Sequence, residues 1–245
     1  MTTANDRRRL ISRTAIAVWW EPRRATLVSL VAASGFGVGL VVARMARTGG
    51  EEYGFLVWNL LLAWVPLLLA LWLYDAYRRG RRGLGLLVVG SIWLLFLPNA
   101  PYIVTDLVHL DEIGGAPLWY DAGMVGVFAC IGLILGLGSL LLIQSVLLDT
   151  AGPRLAWACV LAAIGLTSVG VYVGRVLRLN SWDVFSEPMV LLSSAETFAS
   201  DPLGAPRFLV VTVLFTAFLT VLYLLLWNVA HIELRLDPRR ARQSR

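Results

Sequence analysis

The chain has 245 residues, 58% of them hydrophobic and only 15% charged. Its mean hydropathy of +0.73 lies far above that of a soluble domain, so one membrane domain is expected rather than two soluble ones. The net charge of +5 would suggest nucleic acid in a soluble protein, but no nucleic-acid module and no phosphate-binding glycine loop is present; loop charge that orients a membrane protein explains it better.

Residues 1–24 form a polar tail with six arginines. The apolar run from Ala25 to Ala43 is longer than the core of a secretory signal. Val41-Val42-Ala43-Arg44 is a poor cleavage site, so the run reads as an uncleaved first helix. Ser34, Gly35, Gly37 and Gly39 give it a small-residue face suited to close packing. The second helix spans about Gly54 to Tyr74, with Trp58 and Trp72 as interfacial anchors and Asn59 and Pro66 inside it. A third begins near Leu84. The fourth, from about Trp119 to Leu148, carries Gly132, Gly136 and Ser139 at four- and three-residue spacing. The fifth covers about Leu155 to Val176 with Gly170 and Gly174, and the sixth about Phe208 to Ala230. Each approaches or exceeds the ~20 residues needed to cross ~30 Å of hydrocarbon. The expected fold is all-α: a polytopic bundle of six transmembrane helices over residues 25–230, between basic tails at 1–24 and 231–245. Cys130 and Cys159 each sit in an apolar run and read as small core hydrophobes.

Loop charge sets the orientation. With the N-terminus inside, 16 of the 21 arginines fall in cytoplasmic segments and 5 in outer ones, whereas 10 of the 16 carboxylates fall outside. This threefold asymmetry predicts both termini in the cytoplasm of a bacterial inner-membrane, multi-pass protein. The inner arginines then meet the anionic lipid headgroups of the bilayer. The longest outer connection, Asn180 to Pro206, holds Ser186-Glu187-Pro188, a helix-start signal. It predicts a short surface helix from about Pro188 to Phe198.

The segment from Trp93 to Leu110 (WLLFLPNAPYIVTDLVHL) departs most from plain hydrocarbon-spanning sequence. Pro98 and Pro101 remove backbone donors, free the carbonyls of Leu94 and Leu97, and push Leu97 and Ala100 away from helical angles. The third helix is therefore expected to be broken there, about 21 Å from its start, with polar groups meeting the opened backbone. Asn59 is expected to supply one such group, by donating to the Leu94–Leu97 backbone or pairing with Asn99. Beyond the break, Asn99, Tyr102, Asp106 and His109 fall at spacings of 3, 4 and 3, on one stripe of a helix.

That stripe, on the outer side, is either a solvated helix end or a ligand site. Asp106 and His109 at i, i+3 can share an ion, but two ligands make no metal site, and no cofactor is implied. Asp121, in the first turn of the fourth helix, suits the helix dipole. Arg175 and Arg178, at the outer end of the fifth, violate the charge trend and are expected to pair with Asp106, Asp121 or Asp183, or to hold an anion. Three functions follow. A membrane enzyme on a lipid or envelope precursor would use Asp106 or Asp183 as base and His109 as its partner. Its ligand contacts would come from Asn99, Tyr102, Asp121, Arg175, Arg178 and Asn180. A transporter or transport accessory would line a path with the broken helix, although the inner halves of the helices are nearly all apolar. An assembly subunit would use the polar stripe as packing glue.

Taken together, NLLLAWVP from Asn59 to Pro66, FLPNAPY from Phe96 to Tyr102, Thr105-Asp106, His109-Leu110, PLWYD from Pro117 to Asp121 and RLNSWD from Arg178 to Asp183 resemble a bacterial integral-membrane family, domain of unknown function 1361. The resemblance covers roughly residues 50 to 230. It implies a multi-spanning membrane protein and no particular activity.

Overall fold

The structure, a computed structural model, describes residues 23–110, 115–176 and 206–236. These form α1 (Arg23–Thr48), α2 (Gly54–Arg78), α3 (Leu84–Phe96), the single turn α4 (Asn99–Tyr102) and a 3₁₀ segment (Ile103–His109). They continue as α5 (Leu118–Thr150), α6 (Pro153–Val176) and α7 (Pro206–Leu236). Among the described residues there are six stretches long and apolar enough to cross a membrane, with Leu84–Val108 counting as one. The chain is an all-helical, multi-pass membrane protein. The surface helix expected over Pro188–Phe198 lies outside the described residues.

α5 is the centre of the bundle. Its span is 61% buried, against 17% for α1 and 11% for α7. It packs on α1, α2, α4, the 3₁₀ segment, α6 and α7. Its small residues explain how so many neighbours fit. A Cβ on Gly132 would stand 2.3 Å from the Ala100 carbonyl oxygen, and one on Gly136 2.9 Å from the Ala100 Cβ. Ser139, next on the same stripe, accepts from Trp93 Nε1 at 3.1 Å and donates to the Gly136 carbonyl at 2.7 Å. On α6, a Cβ on Gly170 would meet Pro98 Cγ at 2.5 Å. Three glycines thus form a seat for residues 98–101. The reversal from α5 to α6 takes only Ala151 and Gly152, the latter at φ +85°, where a side chain is strained.

The Pro98–Pro101 segment keeps helical angles throughout. Leu97 stays at φ −55°, ψ −38° and Pro98 at φ −59°, ψ −27°. The expected displacement of Leu97 from helical angles does not occur: close packing against glycine on α5 and α6 outweighs the modest steric preference before proline. What changes is the hydrogen-bond pattern. The Ala100 N–H turns back to the Leu97 carbonyl at 3.2 Å, and the Tyr102 N–H reaches Pro98 at 3.1 Å. The Phe96 carbonyl, which an unbroken helix would give to Ala100, accepts from Asn99 Nδ2 at 3.0 Å. Asn99 therefore mends its own helix, and Asn59 does not serve here.

Both cysteines are free. Cys130 is exposed and Cys159 half-buried, so Cys130 does not belong to the core as expected.

Candidate functional site

Polar side chains gather where α1 ends, α2 begins, the 3₁₀ segment runs and α5 begins. They form two arginine–aspartate clusters of different character.

The first joins α1 to α5. Arg44 grips Asp121 with both ends of its fork, Nε to Oδ1 at 2.8 Å and Nη2 to Oδ2 at 3.1 Å. Both side chains are 1% exposed. Arg44 Nη1 also donates to Glu52 at 3.0 Å, and its guanidinium lies 4.4 Å from the Tyr53 ring centroid. The turn between α1 and α2 thus folds over the pair. The buried Tyr53 hydroxyl makes no hydrogen bond among the described residues. Burial, and next the Asp121 charge, push its phenol above the usual value, against a smaller pull from Arg44. Beside the pair, the Tyr120 hydroxyl donates to the Leu40 carbonyl at 2.8 Å.

The second cluster joins α2, the 3₁₀ segment and α6. Arg175 Nη1 donates to Asp106 Oδ1 at 2.9 Å and Nη2 to the Thr105 carbonyl at 3.0 Å. Asn59 Nδ2 donates to Asp106 Oδ2 at 3.2 Å. So Asn59 serves a carboxylate rather than the opened backbone or Asn99. The Tyr102 ring lies 5.8 Å from the guanidinium. Here the two partners are unequally covered: the Asp106 side chain is 2% exposed, that of Arg175 23%.

The 3₁₀ winding matters to this arrangement. At three residues per turn, Ile103 and Asp106 stack on one side and are both buried. Asp106 thereby points into the bundle, toward α2 and α6, and the expected α-helical stripe is redistributed. Asn99 turns to the backbone, while Tyr102 and Asp106 face Arg175. His109 ends the 3₁₀ segment, and its side chain lies outside the described residues, as do Arg178, Asn180 and Asp183. Asp121, expected beside Arg175 or at the helix dipole alone, belongs to the other cluster. It does sit in the first turn of α5, where the dipole adds to the pull of Arg44.

Arg44, Glu52 and Tyr53 were not marked by sequence reasoning. The available signal was the one that marked Arg175: an arginine directly following an apolar run, on the arginine-poor side. A third buried polar contact, the Tyr223 hydroxyl to Gln144 Oε1, ties α7 to α5. Among the described residues no three His, Cys, Asp or Glu side chains come together as a metal site.

A family described as "Protein of unknown function (DUF1361)" matches residues 58–224, more than half of the chain. The chain belongs to this family. No curated protein and no solved structure matches it. The family stretch contains the whole second cluster: Asn59, Tyr102, Asp106 and Arg175. The sealed pair straddles its boundary, with Asp121 inside and Arg44, Glu52 and Tyr53 before it.

Proposed function

We propose that this DUF1361 protein binds an anionic group, small or lipid-linked, at the extracytoplasmic face of a bacterial inner membrane, and that Arg175 is the contact. The observation that carries this reading is the contrast between the two pairs. Arg44 and Asp121 are both sealed, which makes them a structural tie. Arg175 is anchored by a buried carboxylate and keeps about a quarter of its own side chain exposed, 23% against 1% for Arg44. A guanidinium held in this way is pre-organised to take an oxyanion on its exposed part.

The same geometry weighs against Asp106 as a general base. Its Oδ1 accepts from Arg175 and its Oδ2 from Asn59, so the carboxylate is committed to orienting the cation. His109, Arg178, Asn180 and Asp183 complete the candidate set by sequence position.

Arginine distribution supports the sidedness. Arg78, Arg79, Arg81 and Arg82, at the opposite end of α2 from Asn59, are all exposed, as suits contact with anionic headgroups on the cytoplasmic side. Both termini then face the cytoplasm.

The test is thermal unfolding of the purified full-length protein in neutral detergent, with and without phosphatidylglycerol or glycerol phosphate. The wild type should be stabilised by the anion and not by phosphatidylcholine. Arg175→Gln should abolish the gain while the unliganded protein still folds. A gain that survives Arg175→Gln in full defeats the reading.

A further inference from the structure

The turn between α2 and α3 carries the densest positive charge among the described residues. Arg78, Arg79, Arg81 and Arg82 are all exposed there. No Asp or Glu occurs from Ala76 to Ile92. The nearest carboxylate in sequence, Asp75, is already held by Arg23 Nη1, at 2.8 and 3.0 Å.

The four arginines are not equivalent. Arg82 folds back on α2: its Nη1 donates to the Tyr77 and Arg81 carbonyls, both at 2.8 Å, and its guanidinium lies 4.0 Å from the Tyr77 ring centroid. Arg78 leans over Tyr74, 5.9 Å from the ring centroid. Backbone donors serve other carbonyls at the end of α2, the Arg79 N–H to Asp75 and the Arg81 N–H to Ala76, each at 3.0 Å. The helix end is thus closed without the side chains of Arg79 and Arg81, whose guanidinium groups have no partner among the described residues.

Gly80 at φ +84° and Gly83 at φ +102° reverse the chain within this stretch, so α3 begins directly beside the arginines. The helix packs chiefly on α2, and Trp93 is its buried residue. Its first half is open: Leu84 is 75% and Leu87 69% exposed, and Val88 and Ile92 are exposed as well. Leu84 to Ile92 covers about 12 Å along the axis, close to the ~15 Å of hydrocarbon in one leaflet.

The geometry points to a site for an anionic phospholipid on the outside of the α2–α3 hairpin, with the headgroup phosphate on Arg79 and Arg81 and the acyl chains along Leu84, Leu87, Val88 and Ile92. An acyl chain gains as much beside any exposed apolar helix, so preference for this place comes from the two arginines. Each arginine near an anionic headgroup adds up to about fivefold. The site lies at the opposite end of α2 from Asn59 and rests on neither Arg175 nor its anion.

The test uses the full-length protein in phosphatidylcholine vesicles. A small fraction of either phosphatidylglycerol or phosphatidylcholine carries a photoreactive diazirine midway along one acyl chain, and cross-linked peptides are quantified by mass spectrometry. Over residues 84–92 the phosphatidylglycerol probe should label about fivefold more than the phosphatidylcholine probe. Phe36 and Ile134, exposed side chains in the middle of α1 and α5, should show no such preference. Arg79→Gln/Arg81→Gln should bring the ratio at 84–92 below about twofold, whereas Arg79→Lys/Arg81→Lys should keep it, which separates lost charge from a misfolded turn. Arg175→Gln should leave it unchanged.

Equal labelling of 84–92 by the two probes, or a preference that survives Arg79→Gln/Arg81→Gln, overturns the inference. So does a preference that falls with Arg175→Gln. The thermal test of Arg175 is decided separately. The turn and α3 are local in sequence and stay together when the bundle comes apart in detergent, so lipid held here binds both states and barely moves the midpoint.

Discussion

Removing Arg44 is the sharpest test of how the candidate end of the bundle is held. In Arg44→Met, Asp121 loses two charge-assisted hydrogen bonds, at 2.8 and 3.1 Å, and is left 1% exposed with its charge uncompensated. Breaking a buried pair in this way costs about 3–5 kcal/mol. For a chain of this size each kcal/mol moves the midpoint by roughly 2–4 °C, so Tm should fall by about 10 °C. Asp121→Asn should cost less. Arg44 then keeps Glu52 at 3.0 Å and the Tyr53 ring at 4.4 Å, and an amide oxygen still accepts from the guanidinium. The double variant Arg44→Met/Asp121→Leu leaves no buried charge and should recover most of the loss, to within ~2 kcal/mol of wild type. The assay is thermal unfolding of the three variants and wild type in one neutral detergent, read as a double-mutant cycle. If Arg44→Met loses only ~2 °C, or if the double variant is no more stable than Arg44→Met, the buried ion-pair argument is wrong.

Three further outcomes follow from the same geometry. Asn59→Leu takes a donor from the buried Asp106 and should destabilise by about 1–3 kcal/mol in the same melt, whereas unchanged stability would remove Asn59 from the cluster. Gly132→Ala puts a methyl 2.3 Å from the Ala100 carbonyl oxygen and should cost about 1–3 kcal/mol. Gly165→Ala, with nothing within 4 Å, should instead stabilise α6 by up to ~1 kcal/mol; equal effects at the two sites would contradict the packing. Tyr53 binds its phenolic proton more tightly folded than unfolded. Its contribution is therefore present below its usual value of 10.0 and lost as pH rises through and beyond it. Tyr53→Phe should flatten that alkaline loss and, by removing a buried hydroxyl without a hydrogen bond, leave neutral-pH stability unchanged or raised.

The spans were legible because each needs only local information: some twenty apolar residues between polar ends. The Gly132–Gly136–Ser139 and Gly170–Gly174 spacings were legible as packing surfaces for the same reason, but not their partner, which lies more than 30 residues away at Ala100 and Pro98. The site was legible as a set of unusual residues and not as pairs. Asp106 had several cations and amides within sequence reach, and only the fold selects Arg175 and Asn59. Arg44 was the larger loss. It entered the sequence reading only as the end of a poor cleavage site, and its partners Glu52, Tyr53 and Asp121, in the following turn and on α5, come to it only through the fold. The winding of residues 103–109 was hidden as well. Spacings of 3 and 4 fit an α-helical stripe, whereas the segment tightens to three residues per turn and brings Asp106 beneath Ile103.

The tightening has a consequence for the charge balance of the candidate site. Arg175 and Asp106 cancel in formal charge, so the anion binding proposed for the pair would depend on geometry rather than net charge. Asp106 is 2% exposed and Arg175 23%, with one Asp106 oxygen occupied by Asn59, so the surface that the pair does present belongs to the arginine. Were the 103–109 segment α-helical, Asp106 would rotate by about 20° per residue relative to Ile103, since each step turns 100° rather than 120°. Over three steps this amounts to some 60° and carries the carboxylate away from beneath the arginine. The prolines at 98 and 101, the glycines that seat them and the 3₁₀ segment that follows thus act on one variable: which end of the Arg175–Asp106 dipole faces outward.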